Sequence, residues 1–321
     1  MGRTGKITTG VTIEYAMSPE FDFIRWLRAR SPRNTNVLVG PGDDCAVLSP
    51  ARSRGLITTD ILTEGTDFTR DRASPRDIGR KAMAVNLSDI AAMGGRATNA
   101  VVGLVIPHTG MSGDEVRELY LGLEEVAGEF GVPIVGGDTN SWNGALVISV
   151  TVLGEIGDCA PLLRSGAKVG DAIFVTGPCG GSILGRHLNP RPRLKEIAHL
   201  AAVASITSCI DISDGLSADL RHILDASGCG AILDVDAIPI HTDAIRLSEQ
   251  TGKTPLHHAL ADGEDFELIF TVPAAEAAKL AGEAHALRIG TIVETGLWLR
   301  DSTGVSPLEA MGWVHTFAAA G

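Results

Sequence analysis

Two mixed α/β domains are what this sequence predicts, and three observations lead there. The chain has 321 residues, more than one compact domain usually holds and close to two of about 150. Strand-length apolar segments alternate with longer ones at helical spacing in both halves, and no short internal repeat is visible, which sets aside solenoids and all-β sandwiches. A turn-rich stretch, "GDCAPLLRSGAKVGD" from Gly157 to Asp171, separates the two sets. We therefore expect a flexible tail over residues 1–17, an N-terminal domain over 18–160 and a C-terminal domain over 161–321.

The elements follow in order. "SPEFDFIRWLRAR" has Ser18 as N-cap and Pro19 at the first helical position, ahead of apolar Phe23, Ile24, Trp26 and Leu27, so it predicts a short amphipathic helix. "GPGDDCAVL", Gly40 to Leu48, is a glycine turn that sets Asp43 and Asp44 before an apolar run. "RGLITTDIL" from Arg54 reads as a strand. Ser74-Pro75 opens a helix that Gly94-Gly95 stops. After the strand "NAVVGLVIP", the capping box Ser112/Glu115 starts a helix with Val116, Leu119, Leu123, Val126 and Phe130 on one face. Strands "VPIVGGD" and "ALVISVTVLGEI" complete the first half. The second half reads as strand "AIFVTG", one or two helices to about Ser208, helix "SDGLSADLRHILDASG", then strands "AILDV", "FELIFTV" and "LRIGTIVE".

Composition narrows the function. With 44% hydrophobic and 21% charged residues, the chain is of ordinary globular make-up. Acids outnumber bases by 39 to 27, a net charge of −12, which argues against a nucleic-acid partner. The five cysteines are odd in number and form no Cys-x-x-Cys pair, so neither a disulfide framework nor a zinc site is expected, and a cytoplasmic location fits. No apolar run approaches the roughly 18 residues of a membrane span, and "MGRTGKITTGVTIEYAM" has no hydrophobic leader segment.

The acids carry the chemical signal. Asp44 follows a glycine turn, Asp60 ends "GLITTD", Asp138 ends "VPIVGGD", and Asp211 and Asp214 flank a helix start in "CIDISDGLSADL". Each stands where a buried element meets a loop, the usual place for functional side chains on α/β sheets. Asp89 differs, lying inside a helix among Ala82, Val85, Ile90, Ala91, Ala92 and Met93. Carboxylates converging on such apolar surface would repel one another and take up protons. A hard divalent cation removes that conflict, and Mg²⁺ accepts oxygen ligands while sharing a nucleotide's phosphate oxygens. Thr58, Thr59 and Ser88 stand beside these acids and could complete a shell; a salt-bridged structural cluster is the competing reading. Arg164 and Lys168 lie in a glycine-containing turn suited to a phosphate. "LADGEDFELIF" repeats the opening device with Glu264 and Asp265. The pair His257-His258 has no metal-ligand spacing. "GGSILGRH" at Gly180 has Arg186 and His187 where a phosphate-binding loop needs Lys and a hydroxyl residue.

These segments, taken together, resemble the thiamine-monophosphate kinase family of the aminoimidazole-ribonucleotide-synthetase-like superfamily. The resemblance runs from about Glu20 to Phe317 through "GPGDDCAVL", "TTDILTEG", "GRKAMAVNLSDIAAMGG", "VPIVGGDTN", "RSGAKVGD", "CIDISDGLSADL", "DGEDFEL" and "GWVHTF". It implies transfer of the γ-phosphoryl group of ATP to thiamine monophosphate, giving thiamine diphosphate, with several Mg²⁺ ions and no covalent enzyme intermediate. It implies metal ligands at Asp44, Thr58, Thr59, Asp60, Asp89, Asp138, Asp211 and Asp214, with Asp44, Asp89, Asp138 and Asp214 central to catalysis. Nucleotide contacts are implied at Gly137, Asp138, Arg164 and Ser213, and substrate contacts at Asp67, Glu264 and Trp313. It also implies a homodimer whose N-terminal sheets join into a barrel. Two departures stand out: "EGTDF" puts Asp67 where the family has His, and "DGED" puts Asp262 where Gly is usual. Other ATP-dependent enzymes of the superfamily and a non-catalytic nucleotide or thiamine-phosphate binding module are the alternatives.

Overall fold

The computed structural model describes residues 37–39, 45–48, 54–157 and 159–314. The tail, the helix expected from Ser18, and both Asp43 and Asp44 lie outside them. Strands β1 (Val37–Val39), β2 (Ala46–Leu48), β3 (Arg54–Thr63), β4 (Arg96–Pro107), β5 (Ile134–Trp142) and β6 (Val147–Ile156) form one sheet in the order β1-β2-β3-β6-β4-β5. Only β4 and β5 run parallel, because a helical crossover joins them. A second, mixed sheet has the order β13-β12-β9-β11-β7-β10-β8. It comprises β7 (Ala172–Val175), β8 (Ser208–Asp211), β9 (Gly230–Asp234), β10 (Leu268–Val272), β11 (Leu287–Val293), β12 (Leu297–Asp301) and β13 (Gly304–Pro307).

Among the described residues the α-helices are α1 (Pro75–Ala92), α2 (Gly113–Glu129), α3 (Leu194–Val203), α4 (Leu216–Ser227), α5 (Thr242–Thr251) and α6 (Pro255–Ala261). The punctuation expected at α1 and α2 is present. Ser74 accepts the Asp77 N–H, and Gly94 follows the helix at φ +67°, a left-handed turn that favours glycine. Ser112 and Glu115 form the reciprocal capping box. The sequence reading passed over β1, β8, β12 and β13 and helices α5 and α6. In β8 all four residues are buried, so its side chains show no alternation to read.

Helix α1 lies at the centre, packing on β3 and β6 in one direction and on α3 and β8 in the other. Its buried positions include Ile78, Ala82, Met83, Leu87 and Ile90, but also Lys81, Asn86 and Ser88. Against α2 it approaches to backbone contact. A Cβ at Gly79 would stand 1.9 Å from the Leu119 carbonyl oxygen, and one at Gly122 would stand 2.0 Å from that of Arg76. The two helices therefore cross through a reciprocal glycine contact, with Arg76 and Glu118 pairing at its rim. Gly122→Ala should destabilise the protein by about 1–3 kcal/mol through overpacking. Gly128→Ala on the same helix, with open space around it, should be neutral or slightly stabilising. Chemical denaturation of both variants checks the contrast; equal stabilities would refute the close crossing.

Candidate active site

A cleft of about 570 Å³ lies between the two halves of the chain, and both line it. From the first half, the pleat of β3 sends Thr58, Asp60 and Leu62 to the α1 side and Thr59 and Ile61 to the exposed side. The Thr58 hydroxyl donates to the Asp89 carboxylate. The Asp60 N–H donates to Asn86 Oδ1 at 3.0 Å, while Asn86 Nδ2 donates to the Ala82 carbonyl at 3.0 Å, so one buried amide ties the strand to the helix. Lys81, Val85 and Asp89, spaced at i, i+4 and i+8, form the stripe of α1 that faces the cleft.

The second half supplies Asp211 at the end of β8 and the loop behind it. Ser88 donates to Asp211 Oδ2 at 2.6 Å, joining α1 to the second sheet. Asp219 Oδ2 accepts the N–H groups of Asp214 and Gly215, each at 3.0 Å, which fixes the loop that presents Ser213 and Asp214. Burial foremost, then the charges of Asp214 and Asp211, push the Asp219 carboxyl well above the ordinary range. Asp214 also accepts the Trp313 N–H through its carbonyl at 3.0 Å, which brings the exposed indole to the lip.

Of the residues singled out from the sequence, Asp60, Asp67, Asp89, Asp211, Ser213, Asp214, Glu264 and Trp313 line this one cleft. Thr58 reaches it through Asp89. Thr59 does not bring its hydroxyl there, because neighbouring strand residues point to opposite faces; it donates to the Val150 carbonyl at 3.0 Å instead. Gly137 and Asp138 are also elsewhere, in an exposed groove of about 390 Å³ with Val102, Leu104 and Tyr120. The order β3-β6-β4-β5 explains this: three strand spacings, roughly 14 Å, separate β5 from β3. Arg164 is half-buried in the connection between the halves and is not among the lining residues. Asp44 lies outside the described residues.

The two departures have local explanations. Asp67 Oδ2 accepts the Thr63 N–H at 2.6 Å, so its carboxylate closes the turn after β3. Asp262 has φ −74° and ψ 136°, an extended conformation open to any residue, so no glycine is required. Its carboxylate accepts the Gly181 N–H at 2.8 Å and meets His258 Nδ1 at 3.0 Å. The buried His258 also meets the Thr251 hydroxyl at 2.7 Å, which gives it a structural role. Arg186, in the failed phosphate-loop match, donates to Asp265 at 2.7 Å and to the Gly180 carbonyl at 2.9 Å. Sequence reasoning missed Lys81, which is 1% exposed. The available signal was its place two helical turns before Asp89 on the same stripe.

The chain matches the AIR synthase related protein N-terminal domain over residues 42–156 and the corresponding C-terminal domain over residues 167–297. It is 43% identical over 309 residues to the thiamine-monophosphate kinase of Rhodopirellula baltica, covering 92% of this chain and 97% of that one. With the thiamine-monophosphate kinase of Bacillus subtilis it shares 36% identity over 294 residues, 84% of this chain and 88% of the other. A solved structure of AaThiL complexed with AMPPCP and TMP superposes with a TM-score of 0.78 at 28% identity, covering 92% of this chain and 95% of that one.

The donor chemistry of the cleft fits a hard cation. Asp60, Asp89, Asp211 and Asp214 offer the carboxylate oxygens that a hard cation takes, and Asp214 also lies with Asp219 and His222 in a group whose ligand atoms are within 4.8 Å of one another. Among the described residues Lys81 is the one cation in the lining, and its ammonium is engaged by Glu264. Millimolar Mg²⁺ should therefore raise the melting temperature of the protein through preferential binding to the folded state. Asp89→Asn should fold normally and show a much smaller Mg²⁺-dependent rise, as read by scanning calorimetry. An unchanged Mg²⁺ response in that variant would remove Asp89 from the cation site.

Proposed function

The chain belongs to the AIR synthase related family and, within it, to the thiamine-monophosphate kinases; from that premise we propose that its cleft transfers the γ-phosphoryl group of ATP to the phosphate of thiamine monophosphate, giving thiamine diphosphate. The observation that carries this reading is the convergence of Asp60, Asp89, Asp211 and Asp214, from both halves of the chain, on one cleft with oxygen donors and an aromatic lip. Such a surface repels a nucleotide's phosphates unless divalent cations stand between them. Asp60, Asp89, Asp211 and Asp214 would hold Mg²⁺, and we add Asp44 to this set from the family resemblance. Bound there, the ions would neutralise charge on the transferred group.

In this reading the chain's residues position and exclude. An oxygen of the acceptor phosphate attacks the γ-phosphorus, the bond to the β-phosphate oxygen breaks, and ADP leaves with that electron pair. The acceptor oxygen is already largely ionised at neutral pH, so no residue has to remove a proton. Ser213 stands beside Asp214 to meet the nucleotide, and the Trp313 indole offers its face to a cationic ring. Asp67 and Glu264 supply acidic walls for the same ring. Cytoplasmic action is part of the proposal; among the described residues no helix is long and apolar enough to cross a membrane. So is a homodimer, supported by the exposed apolar Ile61 and Leu153 on the open sheet face and by Val135 and Trp142 on edge strand β5.

Incubating the protein with ATP, Mg²⁺ and thiamine monophosphate should yield thiamine diphosphate and ADP in equal amounts, and a chelator should abolish both. Formation of ADP only with another acceptor would point to a different reaction of the superfamily, and ATP binding without consumption to a binding module. Asp67→His should lower kcat/KM for thiamine monophosphate about tenfold or more while leaving KM for ATP nearly unchanged, because the ring cannot both close the Thr63 turn and present a negative charge. Undiminished kcat/KM in that variant would show that Asp67 is not part of substrate recognition.

A further inference from the structure

We propose that Lys81 is a positioning residue for the acceptor end of the cleft, fixing through one ammonium group the two acids that form its walls; this rests on the function proposed above. Lys81 is 1% exposed on helix α1. Its Nζ donates to the main-chain carbonyl of Asp67 at 2.5 Å and to the carboxylate of Glu264. Taking an ammonium out of water is costly, and a buried ion pair is weak support for stability, since apolar side chains of similar volume often serve as well. The position therefore calls for a reason other than folding.

Glu264 supplies it. This residue has φ +61°, in the left-handed region that side-chain-bearing residues rarely adopt, and Phe266 two places on has φ +50°. The Glu264 N–H donates to the Ser213 carbonyl at 2.7 Å. Its backbone is thus tied to the loop that carries Asp214, while its carboxylate is tied to Lys81. Strained backbone of this kind persists only where the surroundings over-determine it. The second acid, Asp67, is constrained twice as well: Thr63 N–H holds its carboxylate at 2.6 Å and Lys81 holds its carbonyl. Glu264 remains 31% exposed at its side chain, so the carboxylate that receives the ammonium also faces the cleft. A single charge on the first half of the chain thereby sets the placement of an acid from the second half relative to one from the first.

The test separates positioning from mere structural support. Turnover by the unmodified protein tests the assigned function. Calorimetric binding of thiamine monophosphate and, separately, of ATP to the full-length variants tests Lys81. Lys81→Met should weaken thiamine monophosphate binding about tenfold and change ATP binding by less than about twofold. Glu264→Gln should do the same, and the double variant should be no worse than either single one, because the residues act as a unit. Equal losses for both ligands, or losses that simply add, would overturn the proposal. Should Lys81→Met not fold, Glu264→Asp decides: it keeps the charge but shortens the reach to the ammonium, so unchanged thiamine monophosphate affinity would refute positioning and a similar tenfold loss would support it. If the unmodified protein turns over only a different acceptor, the function assigned above fails, and the same comparison is read on that acceptor.

Discussion

A helix that crosses a protein core can carry polar side chains only if each finds a partner there. Helix α1 carries four along its inner side, and their partners define the site. Lys81 takes Glu264 and the Asp67 carbonyl, Asn86 takes the Asp60 N–H, Ser88 takes Asp211, and Asp89 takes the Thr58 hydroxyl. These partners come from β3, the turn after it, β8 and the loop before β10. The helix works as a ruler as well as a support. Eight residues at 1.5 Å each put Lys81 and Asp89 about 12 Å apart along the axis, which sets the distance between the acidic wall and the carboxylate cluster.

That ruler is held in place by what lies behind it. Gly79 and Gly122 let α1 and α2 meet at backbone distance, so the polar side of α1 is pressed toward the cleft. The apolar residues of α1, β4 and β6 then close one continuous core around it. The cleft gathers the carboxylates of Asp60, Asp89, Asp211 and Asp214, and burial, followed by the charges of Asp214 and Asp211, raises the Asp219 carboxyl just behind the loop. Charge of this kind favours binding of metal-borne phosphate over metal-free phosphate.

Much of this was legible in the sequence. The caps at Ser74 and Ser112 and the glycines after each helix are local signals with local causes, and the structure has both helices where they point. Asp89 was readable as an anomaly because an acid on an apolar helical face needs a partner. Other features were not readable, for physical reasons. Lys81 escaped notice because lysine is ordinarily a solvated surface residue, and only the fold brings Glu264 and the Asp67 carbonyl to its charge. Thr59 sits next to Thr58 in sequence, yet a strand's two-residue period sends it to the other face. Asp138 resembles the other acids in its local setting, but strand order, which no local pattern encodes, puts it at the far edge of the sheet.

The wide sequence separation of these pairs has a consequence during synthesis. Lys81 and Glu264 are 183 residues apart, and Ser88 and Asp211 are 123 apart. At roughly 5–20 residues per second on the ribosome, α1 waits about 9 to 37 s after Lys81 is made before the carboxylate that neutralises it is translated. For that interval the nascent first half holds an ammonium that is 1% exposed in the finished fold and still lacks its carboxylate partner. The cleft cannot close before the second half is made, because Asp211, Asp214 and Glu264 all come from it.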